Sequence, residues 1–165
     1  YLANNHLPNL GRVVMIAPPN QGSELVDKFK NFPFFKFFTG PAGQQLGTSA
    51  ESVPQRLPPA NFELGIIAGD RTLNPFYSWF LPGPDDGKVT VASTQLEGMD
   101  DFLLVHYSHT YLPWRKQVVK ASIRFVAEGE FRTEAQSGLS QTHADRPETV
   151  RPYKVHASPK MQAMR

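Results

Sequence analysis

Apolar positions along the chain fall into three short runs and one amphipathic stretch, and that pattern predicts its main elements. Residues 12–17 (RVVMIA) and 63–69 (ELGIIAG) lack polar alternation, which suits strands covered on both faces, as in a parallel sheet. A third strand is predicted over 102–107 (FLLVHY), its apolar part ending at Val105. Over 114–128, Val118, Val119, Ile123 and Val126 recur at helical spacing with Arg115, Lys116, Lys120 and Arg124 between them. This is the signature of an amphipathic helix laid on a sheet. Strands separated by helical or long connections predict the α/β class, with parallel strands and flanking helices.

The connections carry their own signals. Residues 1–10 read as a helix end and connector, stopped by Pro8, Asn9 and Gly11. Pro18 and Pro19 close the first strand, and the Asn20, Gln21, Gly22 turn leads to Ser23. Ser23 is a suitable N-cap for a helix over about 24–30, with Glu24 and Asp27 favourably placed in its first turn. That helix runs into FKNFPFFKFF, where Phe29, Phe32, Phe34, Phe35, Phe37 and Phe38 crowd ten positions. One helix face cannot hide so many rings, so they are expected to pack on the sheet or on further chain, or to form an acyl-binding surface or a lid. Residues 39–61, rich in Gly, Pro, Gln and Ser, predict a long irregular connection, and 72–84 a Pro-rich aromatic excursion. Beyond Phe131 the apolar periodicity stops, which predicts one domain over 1–131 and a disordered tail over 132–165.

Composition narrows the function classes. A chain of 165 residues with 40% hydrophobic content supports one core of ordinary size. The net charge of +2 comes from the tail, because residues 1–131 carry 11 Lys and Arg against 12 Asp and Glu. A nearly neutral body lacks the basic, aromatic-interleaved face of a nucleic-acid binder. No apolar run approaches the ~20 residues of a membrane-spanning helix, and no secretory leader pattern opens the chain. Without cysteine there are no disulfides, thiolate nucleophile or thiolate metal ligands. Tyr1 stands where a methionine would begin a complete chain, so a fragment of a longer protein is expected.

The candidate chemistry lies in residues 85–111, DDGKVTVASTQLEGMDDFLLVHYSHTY. Asp86 sits beside Gly87 in a turn signal before the β-favouring run 88–91, and His106 and His109 follow the third strand. A carboxylate can hold a histidine in one tautomer and stabilise its imidazolium, and that histidine can then take a proton from a nucleophile. Three acids compete for the role: Asp86, Asp70 at the end of the second strand, and Asp85. His106 reads equally well as a satisfied histidine at a strand end. Two histidines three apart, near Asp100 and Asp101, lack the H-E-x-x-H arrangement on a helix, so no metal is expected.

The order of strand RVVMIAPP, turn PNQGS, strand ELGIIAGD, turn DDGKVTV, strand FLLVHYSHT and closing helix resembles the C-terminal half of an α/β-hydrolase of the lipase and esterase branch, over residues 1–129. The resemblance implies a partial α/β-hydrolase fold and a triad in the chain order serine, acid, histidine, with the serine in a G-x-S-x-G elbow. Carried over, the acid falls on Asp86 and the histidine on His109, in S-H-T after the last strand. The serine has no counterpart here. In the Gly47, Thr48, Ser49, Ala50 segment Glu51 holds the closing glycine position, and Ser23 has the setting of a helix cap. The nucleophile and oxyanion donors are therefore expected upstream of Tyr1. The implied activity is cleavage of an ester, thioester or lipid acyl bond, with no cofactor. The alternative is a non-catalytic binding module built on the phenylalanine-rich segment.

Overall fold

The computed structural model describes residues 2–5, 7–73 and 75–132, with only the backbone of 3, 34–39 and 77. The tail expected to be disordered lies, from residue 133 on, outside the described residues. Three parallel strands, β1 (Val13–Ile16), β2 (Leu64–Gly69) and β3 (Asp101–Val105), form a sheet in the order β1-β2-β3. Among the described residues, five α-helices accompany them: α1 (Glu24–Phe29), α2 (Pro33–Gln44), α3 (Pro75–Ser78), α4 (Val91–Thr94) and α5 (Lys116–Glu128). The α/β class expected from the apolar pattern is the class observed.

β2 lies between the other two strands and is buried along its whole length, which is why its sequence shows no polar alternation. Side chains alternate across a strand, and on β2 Gly65, Ile67 and Gly69 share the face toward α5 and the segment before it. Phe125 and Phe131 pack directly over the bare backbone of Gly65, where an added Cβ would come within 2.6 Å of the Phe131 ring. Ile67, Leu103, Val105, Leu112, Val118 and Ala121 complete that core with the two rings. Arg12, at the start of β1, donates to the carbonyls of Val126 and Ala127 and so ties the sheet to the C-terminal end of α5. Gly129 closes the helix in the left-handed region at φ 87°, a conformation glycine takes without a Cβ penalty.

Three expectations are corrected. β1 is only half covered, with Ile16 exposed, because among the described residues it pairs on one side only. α5 buries Val118, Ala121 and Phe125, while Val119, Ile123 and Val126 are exposed. Both stripes have helical spacing, and the one carrying the large Phe125 ring lies on the sheet. Residues 39–61 are not irregular throughout: helical structure continues to Gln44, bent at Gly40 (φ 60°), after which Pro41 opens a second short helical segment. The run 88–91 forms no strand. Thr90 makes an isolated bridge to Asp85 and caps α4, its hydroxyl accepting from the Ser93 N–H.

Of the phenylalanine-rich segment, the side chains of Phe34, Phe35, Phe37 and Phe38 lie outside the described residues. Phe29 and Phe32 meet at 5.8 Å with their rings tilted by 53°, and Phe29 meets Phe80 edge-on at 5.5 Å, so part of the surplus is absorbed between α1 and the segment after α3. Among the described residues no helix is long and apolar enough to cross a membrane.

Candidate functional site

All three strands run parallel, so the loops after them emerge at one carboxyl edge, where open α/β sheets gather their chemistry. Asp70 follows β2, and residues 106–109 follow β3. Ala17, after β1, has φ 47°, unusual for a residue with a side chain, while its N–H reaches the Ile67 carbonyl. Asp86 arrives from the side, on a tight turn closed by the Asp85–Thr90 bridge and by the Val91 N–H donating to the Pro84 carbonyl at 2.9 Å.

The turn orients the Asp86 carboxylate atom by atom. Oδ1 accepts from the N–H groups of Lys88 at 3.0 Å and Val89 at 2.9 Å, the local pattern aspartate favours in turns. Oδ2 is thereby left facing His109, whose Nδ1 lies 2.8 Å away. The His109 backbone N–H also donates to the Asp86 carbonyl at 2.9 Å, so residue and ring are held by the same partner. The Asp86 side chain is wholly buried and His109 is 29% exposed. A carboxylate beside Nδ1 keeps the proton on that nitrogen, which leaves Nε2 as a proton acceptor. Among the described residues nothing hydrogen-bonds to Nε2.

Gly69 makes this approach sterically possible. A Cβ there would collide with the Tyr107 carbonyl and come within 3.0 Å of the Asp86 Cβ and 3.2 Å of Leu112. The residue that ends β2 must therefore be glycine for the acid turn and the segment carrying His109 to close over it. His109 opens a 3₁₀ turn (His109–Trp114) rather than a free loop, and the buried Leu112 anchors that turn in the core.

The structure also pairs the two competitors with each other. His106 Nδ1 lies 2.9 Å from both carboxylate oxygens of Asp70. His106 is 69% exposed, so water competes for this contact far more than for the buried pair. The sequence reading treats Asp70 and His106 separately and misses their pairing. The signal was strand register: Gly69 and Val105 are partners across β2 and β3, so the residues that follow them are neighbours. Asp85 faces neither histidine; its Oδ1 accepts from the Gly87 N–H at 2.7 Å and the Ser78 hydroxyl at 2.6 Å.

Several serine hydroxyls are engaged elsewhere. Ser23 stands at the N-cap of α1 as expected, but its side chain caps nothing and donates instead to the Lys88 carbonyl. Ser78 bonds Asp85, Ser93 receives the Thr90 hydroxyl, and Ser122 donates to the Val118 carbonyl. Ser49 is exposed on a bend with no strand before it. Among the described residues no group of three or more His, Asp or Glu is placed to hold a metal ion.

No family model matches the chain, and no curated protein matches it. Among solved structures the chain is similar to a lipase of Bacillus licheniformis in its mature form, at 16% identity and a TM-score of 0.43, over 70% of this chain and 52% of the lipase. The chain thus spans about half the length of that protein, and a likeness at this level assigns it no activity.

Proposed function

We propose that this chain supplies the acid and the histidine of a serine hydrolase that cleaves an ester, thioester or lipid acyl bond, with Asp86 and His109 in those roles. The contact between Asp86 Oδ2 and His109 Nδ1 at 2.8 Å, made by a carboxylate with no exposed surface, is the observation that carries the reading. In the reaction a serine from sequence outside residues 1–165 attacks the acyl carbonyl while His109 Nε2 takes the hydroxyl proton. The imidazolium, stabilised by Asp86, returns that proton to the leaving group. Water then repeats the cycle on the acyl-enzyme, His109 again accepting and donating one proton. Backbone donors for the oxyanion come with the nucleophile. The resemblance of the strand and turn order to the lipase and esterase branch points the same way.

A second reading is a non-catalytic module that binds apolar ligands. It is favoured by the aromatic surface of α3 and the residues around it, where Phe32, Phe76 and Trp79 are all exposed. Fluorophosphonate labelling tests the division of labour. Residues 1–165 alone are expected to stay unlabelled, because the Ser23 hydroxyl is buried on a carbonyl and Ser49 lies on an irregular bend. Stoichiometric labelling at either serine would place the nucleophile inside the chain and overturn this assignment. A longer protein that carries G-x-S-x-G and hydrolyses acyl esters separates the first reading from the second.

A further inference from the structure

The turn bearing Asp86 is gripped from outside by the aromatic excursion, and we infer that Ser78 and Asp85 form a positioning pair through which α3 sets the Asp86–His109 contact. This rests on the reading of Asp86 and His109 given above.

The links are short and consecutive. Ser78 is the last residue of α3, and its hydroxyl donates to Asp85 Oδ1 at 2.6 Å, a distance typical of strong charge-assisted bonds. The same oxygen accepts the Gly87 N–H at 2.7 Å and so fixes the peptide that directly follows Asp86. Gly87 has φ 96°, and Thr72, at the other end of the excursion, lies where a Cβ on Gly87 would come within 3.0 Å of its hydroxyl oxygen. With this peptide held, the N–H groups of Lys88 and Val89 converge on Asp86 Oδ1, and Oδ2 is turned toward His109. Asp85 is itself 7% exposed, so loss of the Ser78 donor leaves a desolvated carboxylate short of a partner. The expected relief is rotation of that carboxylate, release of the Gly87 peptide and drift of Asp86.

α3 also gives the pair something to sense. Phe76 and Trp79 are 60% and 87% exposed, and Phe76 packs edge-on against Phe80 at 5.2 Å. These rings stand on or directly after the helix whose last residue holds Asp85, so a load on them would reach the acid turn through Ser78. Neither Ser78 nor Asp85 touches the reacting atoms; both act through Asp86.

The test is proton NMR of the full chain, reading the hydrogen-bonded Nδ1 proton of His109, a signal that a purely structural loss elsewhere would not move. Ser78→Ala is expected to shift this resonance upfield and to speed its exchange with water at least about fivefold, the scale of one lost hydrogen bond. Ser78→Thr, which keeps the hydroxyl, restores it. Asp85→Asn, which weakens both bonds without changing shape, gives an intermediate loss and carries the test if Ser78→Ala folds poorly. Unchanged shift and exchange in Ser78→Ala and Asp85→Asn, with the signal lost in Asp86→Asn, overturn the positioning pair alone. A signal that persists in Asp86→Asn overturns the Asp86–His109 reading beneath it.

Discussion

On the proposed assignment, His109→Ala is expected to lower kcat by roughly 10⁴- to 10⁶-fold in a longer protein that supplies the serine, on the precedent of other triads. The size of the effect follows from the role proposed for the imidazole, which is to carry the proton between nucleophile and leaving group. The buried carboxylate of Asp86 and the backbone bond to its carbonyl fix the ring so that Nε2 alone is left to act. His106→Ala should cost less than about tenfold, because its ring sits in solvent on Asp70 and its loss leaves the turn at 85–90 intact. Michaelis–Menten measurements on both variants, with unchanged melting temperature as the check on folding, give the comparison. Near-normal turnover in His109→Ala removes the triad reading altogether.

Phe125→Ala is expected to destabilise the folded unit by about 3–5 kcal/mol. That is a large share of the roughly 5–15 kcal/mol that holds a typical domain together. Phe125 is completely buried, lies 4.9 Å from the Phe131 ring and covers the bare backbone of Gly65. The floor beneath it is a glycine in the central strand, which has no side chain to fill the space. Ile123→Ala on the same helix serves as the control: its side chain is exposed, and the change should fall within about 0.5 kcal/mol. Denaturant unfolding of the two variants measures the difference. A larger loss in Ile123→Ala than in Phe125→Ala would mean that α5 lies on the sheet through its other stripe, which apolar periodicity allows equally well.

What could be read from sequence follows the strength of the local signal. β2 was legible because a strand buried on both faces needs an unbroken apolar run, and 64–69 is one. The contact between Asp86 and His109, as distinct from the role proposed for it, was anticipated by a D-G turn and an S-H-T after a strand, which the resemblance to a lipase pattern joined across 23 positions. The facing stripe of α5 was not legible, since Val119, Ile123 and Val126 satisfy helical spacing as well as Val118, Ala121 and Phe125. Only the glycine on β2 shows where the large ring fits. Nor was the helix at 33–44 legible, because Gly40 and Pro41 read as breakers when they in fact join two helical segments at a bend. The Asp70–His106 pair needed strand register, which emerges only when β2 and β3 are laid side by side. The Ser78–Asp85 bond needed the path of the excursion, which composition marked as proline-rich without saying where it returns.

The choice of acid is the most exposed part of the account, since Asp70 ends a buried strand and holds a histidine of its own. Both carboxylates reach an imidazole Nδ1, at 2.8 Å for Asp86 and 2.9 Å for Asp70, so distance does not separate them. Burial and backbone anchoring do: Asp86 is sealed from solvent and fixed by four main-chain bonds, two to Oδ1, one to its carbonyl and one from its own N–H to the Val89 carbonyl. The decisive measurement is kcat for Asp86→Asn and Asp70→Asn side by side in a longer protein that supplies the proposed serine, each with an unchanged melting temperature. The account predicts a loss of up to ~10⁴-fold in Asp86→Asn, where the amide imposes the wrong tautomer on His109, and a loss of less than about tenfold in Asp70→Asn. Near-normal turnover in Asp86→Asn together with collapse in Asp70→Asn would contradict it.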